Sequence, residues 1–435
     1  MIDIKQIRET PERFEKAAKN KGFNVDIREL IFLDKVLRDT KKKLQDIATL
    51  KNQISKKIPH LSGIEKEAEL IQLSVLKEEE KRSEKWIEER QPEFDRRMLL
   101  VPQPADDDVP IGKDDTENVE IRREGEIRRF DFEPKDHVQL GLALGIIDIE
   151  RGVKLAGTRN YILKGDGALL HWAVLRFAMD FMVDKGYVPM SVPLLMKDEA
   201  MTGTGFFPGS EDQTYRMEKD ELNLAGTAEV PLTAYRMGEI LSAEELPLKY
   251  VALSSCFRRE AGAAGKDTYG LYRIHQFDKV EQVVICENSV EQSNKFHDEI
   301  LANAEAVMQA LELPYRVANV CTGDLGRGQA KKFDIEAWMP SRGNYCETHS
   351  ASKFYEFQAR RMNLRYKDPA TPASAGASSS PRKRGNHFCH TLNNTVIASP
   401  RILIPILELY QNSDGSITIP KVLRTYMGGK EKIIS

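Results

Sequence analysis

The chain has 435 residues, of which 41% are hydrophobic and 30% charged, and its formal net charge is −3. These proportions exclude a mostly disordered chain, and the length exceeds one ordinary core, so two or more domains are expected. A nearly neutral chain binds nucleic acid only through a local basic surface. Five cysteines without a CxxC pair (Cys256, Cys286, Cys321, Cys346 and Cys389) predict a reduced, cytoplasmic protein. The charged N-terminus does not read as a signal peptide, and no apolar run approaches the length of a membrane span.

Between Leu30 and Ile58, the residues Leu30, Leu33, Leu37, Leu44, Ile47, Ile54 and Ile58 keep a three–four spacing, interrupted at Thr40 and Lys51. That is a heptad seam on a long helix. Pro59 and Gly63 break it. A second seam is expected through Ile64, Ala68, Ile71 and Val75, then Ile87, Phe94, Met98 and Val101, weakened by a charged middle and kinked or ended at Pro92. The pair reads as an antiparallel helical hairpin with a basic first helix that includes Lys41, Lys42 and Lys43. Such a stripe suits phosphate binding, and equally a solvated helix face.

Prolines and aspartates after Pro102 mark a linker, and short strand-like and helical segments alternate from about Val119 onward. The expected division is 1–103 for a helical N-terminal domain with its arm at about 27–100, 104–118 for the linker and 119–435 for an α+β domain built on an antiparallel sheet. The Ala/Ser/Pro-rich segment 368–386 reads as a loop.

The chemistry concentrates between Tyr250 and Ile285. VALSSCFRRE reads as a strand, EAGAAGKDTYG as a Gly-rich loop and LYRIHQFDKVEQVVI as a second strand. Period two places Arg273, Phe277 and Glu281 on one face, and Arg258 and Glu260 together where the first strand ends. A cation, an aromatic plate and a carboxylate in line can bind a phosphate, stack a base and hold an ammonium. An amphipathic hairpin with its charges outward would look similar.

FRREAGAAGKDTYGLYRIHQFDKVE closely resembles the second signature motif of class II aminoacyl-tRNA synthetases, in the form seryl-tRNA synthetases use. AGTAEVPLT resembles that family's serine-binding element, NYCETHSASKFYEFQARRMNLRY its Glu-containing segment, and HTLNNTVIASPR stands in place of the third motif. GYVPMSVPLLM, with Pro193, resembles the first motif, which implies a homodimer. The likeness runs from the arm to the last residues and keeps the order of elements.

The resemblance implies serine activation by ATP and transfer to tRNA(Ser), read through its long variable arm by a hairpin arm carrying Lys41, Lys42 and Lys43. It leaves open whether tRNA(Sec) is charged as well. Arg258 and Arg401 are the implied catalytic residues. Thr227, Ala228, Glu229, Glu281, Asn393 and Thr395 take L-serine, with Glu281 reading its hydroxyl. Arg258, Arg259, Glu260, Arg273, Ile274, Phe277, Glu347, Thr348, His349, Ser350 and Arg401 contact ATP, and Glu347 with Ser350 holds Mg²⁺. Ser399 and Pro400 fit the start of a helix whose N-terminus faces the phosphates. Thr202 to Phe206 resembles a loop that closes near the substrate.

Asn394 and Val396 depart from the family's third motif, where glycines let backbone approach the ligand. Pro405 is expected to bend the following helix. Cys346, His349, His387, Cys389 and His390 match no common zinc spacing. Two other functions compete: a ligase loading serine onto a carrier protein, which would lack the long arm, and an inactive interaction protein, against which the joint retention of Arg258, Glu260, Glu281, Glu347 and Arg401 argues.

Overall fold

A computed structural model describes residues 1–262, 269–367 and 385–435, divided into two units, Met1–Pro104 and Ala105–Ser435. Residues 263–268 of the Gly-rich loop and most of the Ala/Ser/Pro-rich segment lie outside the described residues.

Two long helices dominate the first unit, α1 (Ile27–Lys57) and α2 (Gly63–Leu100). The Asp26 carboxylate caps α1 by accepting a bond from the Glu29 backbone N–H at 2.8 Å. Along α1 the expected seam is present, with Leu30, Leu37, Ile47 and Ile54 buried. Its two polar interruptions differ. Thr40 donates its hydroxyl to the Val36 carbonyl at 2.8 Å, whereas Lys51 pairs across the hairpin with Glu80.

The front of the second seam is corrected. Ile64, Ile71 and Val75 are 87%, 61% and 60% exposed. The buried and half-buried line on α2 runs instead through Leu73, Leu76, Glu80, Ser83, Ile87, Phe94 and Met98. That line keeps one three–four phase throughout, and Lys51 answers the charge at Glu80. Helix α2 also continues through Pro92. Bonds from Lys41 to Gln91 at 2.8 Å and from Arg97 to Glu29 at 2.5 Å bracket the missing N–H.

The second unit is organised on eight strands: β1 (Val119–Glu124), β2 (Val188–Pro189), β3 (Leu248–Phe257), β4 (Gln276–Cys286), β5 (Tyr315–Asn319), β6 (Lys331–Met339), β7 (Asn344–Tyr355) and β8 (His390–Ser399). They lie in the order β1-β5-β6-β7-β8-β4-β3-β2. Neighbours are antiparallel except β2 with β3. Helices α3 (Asp166–Asp184) and α4 (Val290–Ala310) cover one face, packing Leu170, Val174, Ile300 and Ala304 with Val280, Val284 and Val396. Each of the Leu, Val and Ile side chains contributes ~1.5–3 kcal/mol relative to exposure. A one-residue slip would turn that whole set to solvent, so burial pins the register. Period two then turns Phe277, Lys279 and Glu281 of β4, and Asn393 and Thr395 of β8, to the opposite face.

Several expectations are revised here. Residues 105–118 are not a free linker: Val109 packs with Val320 and Leu325, and Lys353 reaches the Asp106 carboxylate at 2.6 Å. The second strand of the motif begins at Gln276, leaving Arg273 in the segment before it. Ser399 and Pro400 do not start a helix. Ser399 is the last residue of β8, its hydroxyl 2.8 Å from His171 Nδ1, and the following helix spans Leu403–Leu409. Pro405 falls in that helix's first turn, where an N–H has no intrahelical partner to lose, so no bend is required.

Candidate active site

On the opposite face, β4, β7 and β8 line a cleft with about 480 Å³ of empty space, part of it open to solvent, together with Arg258 and Glu260 just after β3, Leu271, Tyr272 and Ile274 before β4, and Arg401 after β8. Arg258, Glu260, Ile274, Phe277, Lys279, Glu347, Thr348, Thr395 and Arg401 line it together with Leu271, Tyr272 and Ala398.

Arg258 follows β3 directly, and its guanidinium carbon lies 5.1 Å from the Phe277 ring centroid, a cation–π distance. Its Nε donates to the Gly226 carbonyl at 3.4 Å. Glu260 has φ 52°, a left-handed conformation costing a non-glycine residue ~1–3 kcal/mol. Arg273 Nη1 donates to Glu260 Oε2 at 2.8 Å and helps hold the carboxylate there. Across the cleft, Arg401 lies 4.3 Å from the Tyr272 ring centroid and donates to the carbonyls of Tyr272 at 3.1 Å and Glu347 at 3.2 Å. An aromatic ring and two guanidiniums thus face one space from separate strands, an arrangement that suits a nucleotide triphosphate.

Beside the cleft, further along β4 from Phe277, lies an acidic group. Glu281 stands opposite Thr395 across β4 and β8, with Lys279 Nζ 2.5 Å from Glu281 Oε2 and the Thr227 hydroxyl donating to it at 3.4 Å. Glu229 accepts from Gln358 Nε2 at 2.8 Å. Burial first, and the neighbouring Glu281 charge second, push the Glu229 carboxyl up to about 7, against the opposing pull of Gln358, Lys279 and Asn393. One buried carboxyl, Glu281, and one half-buried carboxyl, Glu229, with one cation and two hydroxyls, form a group whose chemistry suits an ammonium and a small hydroxyl.

A bulge shapes the neighbouring strand. Glu336 pairs with Glu347 and Ile335 with His349, leaving Thr348 as the extra residue. Glu347 and Ser350, three apart, therefore share a face, and Ser350 pairs with Asp334 of β6. Ser350 bonds the Asp334 carboxylate, whose Oδ1 has no partner among the described residues. Exposed Glu347, the Ser350 hydroxyl and this orphaned oxygen are hard donors, and they fit a magnesium ion that keeps water and phosphate as its other ligands. No group of three or more His, Cys, Asp or Glu positioned to hold a metal by itself occurs among the described residues, including the sulfur and imidazole set singled out in the sequence.

The same bulge turns His349 away, which corrects its assignment to the nucleotide. It is buried on the opposite face, with Nε2 bonded to the Val396 carbonyl at 3.0 Å and Nδ1 2.8 Å from Thr348 Oγ1. Burial pushes its imidazole down to about 4. Arg259 is exposed and outside the cleft lining. Arg273 meets Glu260 from the adjoining surface. Thr227, Ala228 and Glu229 lie at the start of a short helix, Glu229–Ala234, beside Glu281. Asn394 and Val396 do not crowd the ligand: Asn394 Nδ2 donates to the Ile300 carbonyl at 2.7 Å on the helical side, and Val396 is in the core there. The sequence reading missed Lys279, although it alternates between Phe277 and Glu281, and missed Tyr272, for which no signal existed.

An eight-stranded, mostly antiparallel sheet carrying these residues is the core of a class II aminoacyl-tRNA synthetase, and residues 213–409 match the tRNA synthetase class II core domain (G, H, P, S and T). Residues 1–104 match the seryl-tRNA synthetase N-terminal domain. A serine–tRNA ligase of Deinococcus radiodurans is 43% identical over 431 residues, covering 99% of this chain and 98% of that one. Among solved structures, seryl-tRNA synthetase from Pyrococcus horikoshii, complexed with ATP, superposes with a TM-score of 0.92 at 36% identity, covering 100% of this chain and 99% of that one. The cytoplasmic enzyme of Naegleria fowleri, in complex with AMP, gives 0.86 at 32%, covering 100% and 98%. The chain belongs to the seryl-tRNA synthetase family.

Proposed function

We propose that the protein activates L-serine with ATP and transfers the serine to tRNA(Ser). The observation that carries this reading is the convergence of Arg258, Phe277, Lys279, Thr395 and Arg401 on one cleft, with Glu281 beside Lys279 and opposite Thr395. Phe277 stacks the adenine, whose amino group Glu260 accepts, while Arg273 holds that carboxylate in place. Glu229 and Thr227 bind the serine ammonium, and Glu281 with Thr395 accepts its hydroxyl. A serine carboxylate oxygen then attacks the α-phosphorus and pyrophosphate leaves. Arg258 and Arg401 stabilise the charge spread over the phosphoryl oxygens, so the catalysis is positioning and electrostatics with no covalent enzyme intermediate. Glu347 and Ser350 would hold Mg²⁺, which neutralises phosphate charge when bound. Exposed Trp172, Val188 and Leu195 support burial against a second copy in a homodimer. The free cysteines fit a cytoplasmic setting, and no described helix is long and apolar enough to cross a membrane.

Serine-dependent exchange of pyrophosphate into ATP, followed by tRNA charging, tests this reading. Exchange without charging would favour a carrier-protein ligase, and no exchange would sink the enzyme. In the same assays, replacing Lys41, Lys42 and Lys43 by alanine lowers kcat/KM for charging and leaves exchange intact. All three are exposed on α1. The salt dependence of tRNA binding becomes shallower by about one for each lost phosphate contact. Equal loss of exchange would mean that the arm is no separate tRNA-binding element.

Glu229 sets a pH dependence. With its carboxyl at about 7 in the free enzyme, acid protonates the group that must meet the ammonium. The value of kcat/KM for serine therefore falls about tenfold per pH unit below that point, while kcat/KM for ATP at saturating serine holds. A serine profile flat from pH 8 to about 6 would remove Glu229 from the amino-acid site.

A further inference from the structure

We infer that Gln358 is a positioning residue of the amino-acid pocket, an amide that presents the Glu229 carboxylate to the substrate ammonium and ties it to the turn closing the helix Asp198–Thr204. The inference rests on the assignment of Glu229 to the serine amino group.

Gln358 is fully buried on a short helix, Phe357–Met362. Its Nε2 donates to Glu229 Oε1 at 2.8 Å and to the Thr204 carbonyl at 2.9 Å, while its Oε1 accepts from the Thr391 hydroxyl at 2.6 Å. A carboxylate and a carbonyl only accept, so the nitrogen must face them and the oxygen must face Thr391. Both amide protons are used, and the group has one orientation. Thr391 lies on the same face of β8 as Asn393, two residues on, whose buried Nδ2 has no hydrogen-bond partner among the described residues. One amide thus joins the strand that carries the pocket, the acid at its floor and the end of the helix Asp198–Thr204.

A purely structural amide could be satisfied by any two carbonyls. Here one bond is given to a group that has to be charged to work. Glu229 faces the Glu281 carboxylate and the Lys279 ammonium from β4, and the amides of Gln358 and Asn393. Glu281 and burial favour its neutral form, while Lys279 and the two amides favour the carboxylate. The Gln358 N–H holds the ionised form in an empty pocket, so that the ammonium meets a prepared partner. The same short helix also secures the chain on both sides of Thr204: Arg361 donates to the carbonyls of Thr202 at 3.0 Å and Phe207 at 2.9 Å. That segment is thereby tied to the acid assigned to serine.

Gln358→Met keeps the length and apolar volume of the side chain and removes all three bonds. Pyrophosphate exchange, measured against serine and ATP across pH, is expected to show serine KM raised about tenfold or more, ATP KM within twofold of the parent, and the acid limb of serine kcat/KM displaced to higher pH. Thr391→Val frees the amide to rotate while leaving it present, and is expected to shift both quantities the same way by a smaller factor. The melting temperature of each variant reports folding. If Gln358→Met does not fold, Thr391→Val decides. Unchanged serine KM with an unmoved acid limb, or equal rises in serine and ATP KM, overturns the inference. Absence of serine-dependent exchange in the parent enzyme would overturn the functional reading instead, so the two failures are distinct.

Discussion

Replacing Arg258 by alanine lowers kcat for serine-dependent exchange about 10²–10³-fold, the size of effect seen when one preorganised donor to a developing negative charge is lost. Serine KM changes much less, because Arg258 lies against the Phe277 ring while Glu229 and Glu281 are assigned to the amino acid. Its position is prepared from both sides, with Nε on the Gly226 carbonyl and the guanidinium against the Phe277 ring. A group already in place reorganises little as charge develops, and this is why its loss falls on kcat. Arg258→Lys restores the charge without the planar fork, so an intermediate rate is expected. A loss confined to ATP KM, with kcat intact, would make Arg258 an ordinary binding contact.

How far the sequence could be read depended on whether local pattern and tertiary partner agreed. Helix α1 was legible because its seam is carried by Leu30, Leu37, Ile47 and Ile54, apolar residues at positions that bury them. Helix α2 was not, because its seam includes Glu80, which needs Lys51 from the other helix, and Ser83. A sequence pattern scores such positions as surface. The catalytic strands show the same division. Phe277 and Glu281 followed from alternation, and Lys279 should have, yet a spacing of four drew attention to Arg273, which lies before the strand. His349 was misplaced because one extra residue at Thr348 reverses the parity of β7, and nothing in THSASK announces a bulge. Gln358 stood in a recognisable FQARR segment, but its partners Thr204, Glu229 and Thr391 come from three distant parts of the chain.

Glu281 carries the other large expected effect, and two consequences of its removal have to be separated. It is 2% exposed, with Lys279 at 2.5 Å, so Glu281→Ala strands a buried ammonium and destabilises the fold by about 3–5 kcal/mol. It also deletes the acceptor for the substrate hydroxyl. A site built to bond a hydroxyl rejects the analogue lacking it by about 10⁴–10⁵, since its own polar groups are otherwise left unpaired. Glu281→Ala is therefore expected to lower serine kcat/KM about 10³-fold or more while leaving alanine nearly unchanged, so that the preference collapses from the serine side. Pairing it with Lys279→Met distinguishes the two effects. Replacing both charges by apolar groups is close to neutral for stability, so the double variant recovers its melting temperature and stays unselective. A double variant that melts like the parent and still prefers serine over alanine would move hydroxyl recognition away from Glu281 to Thr395 and Thr227 alone.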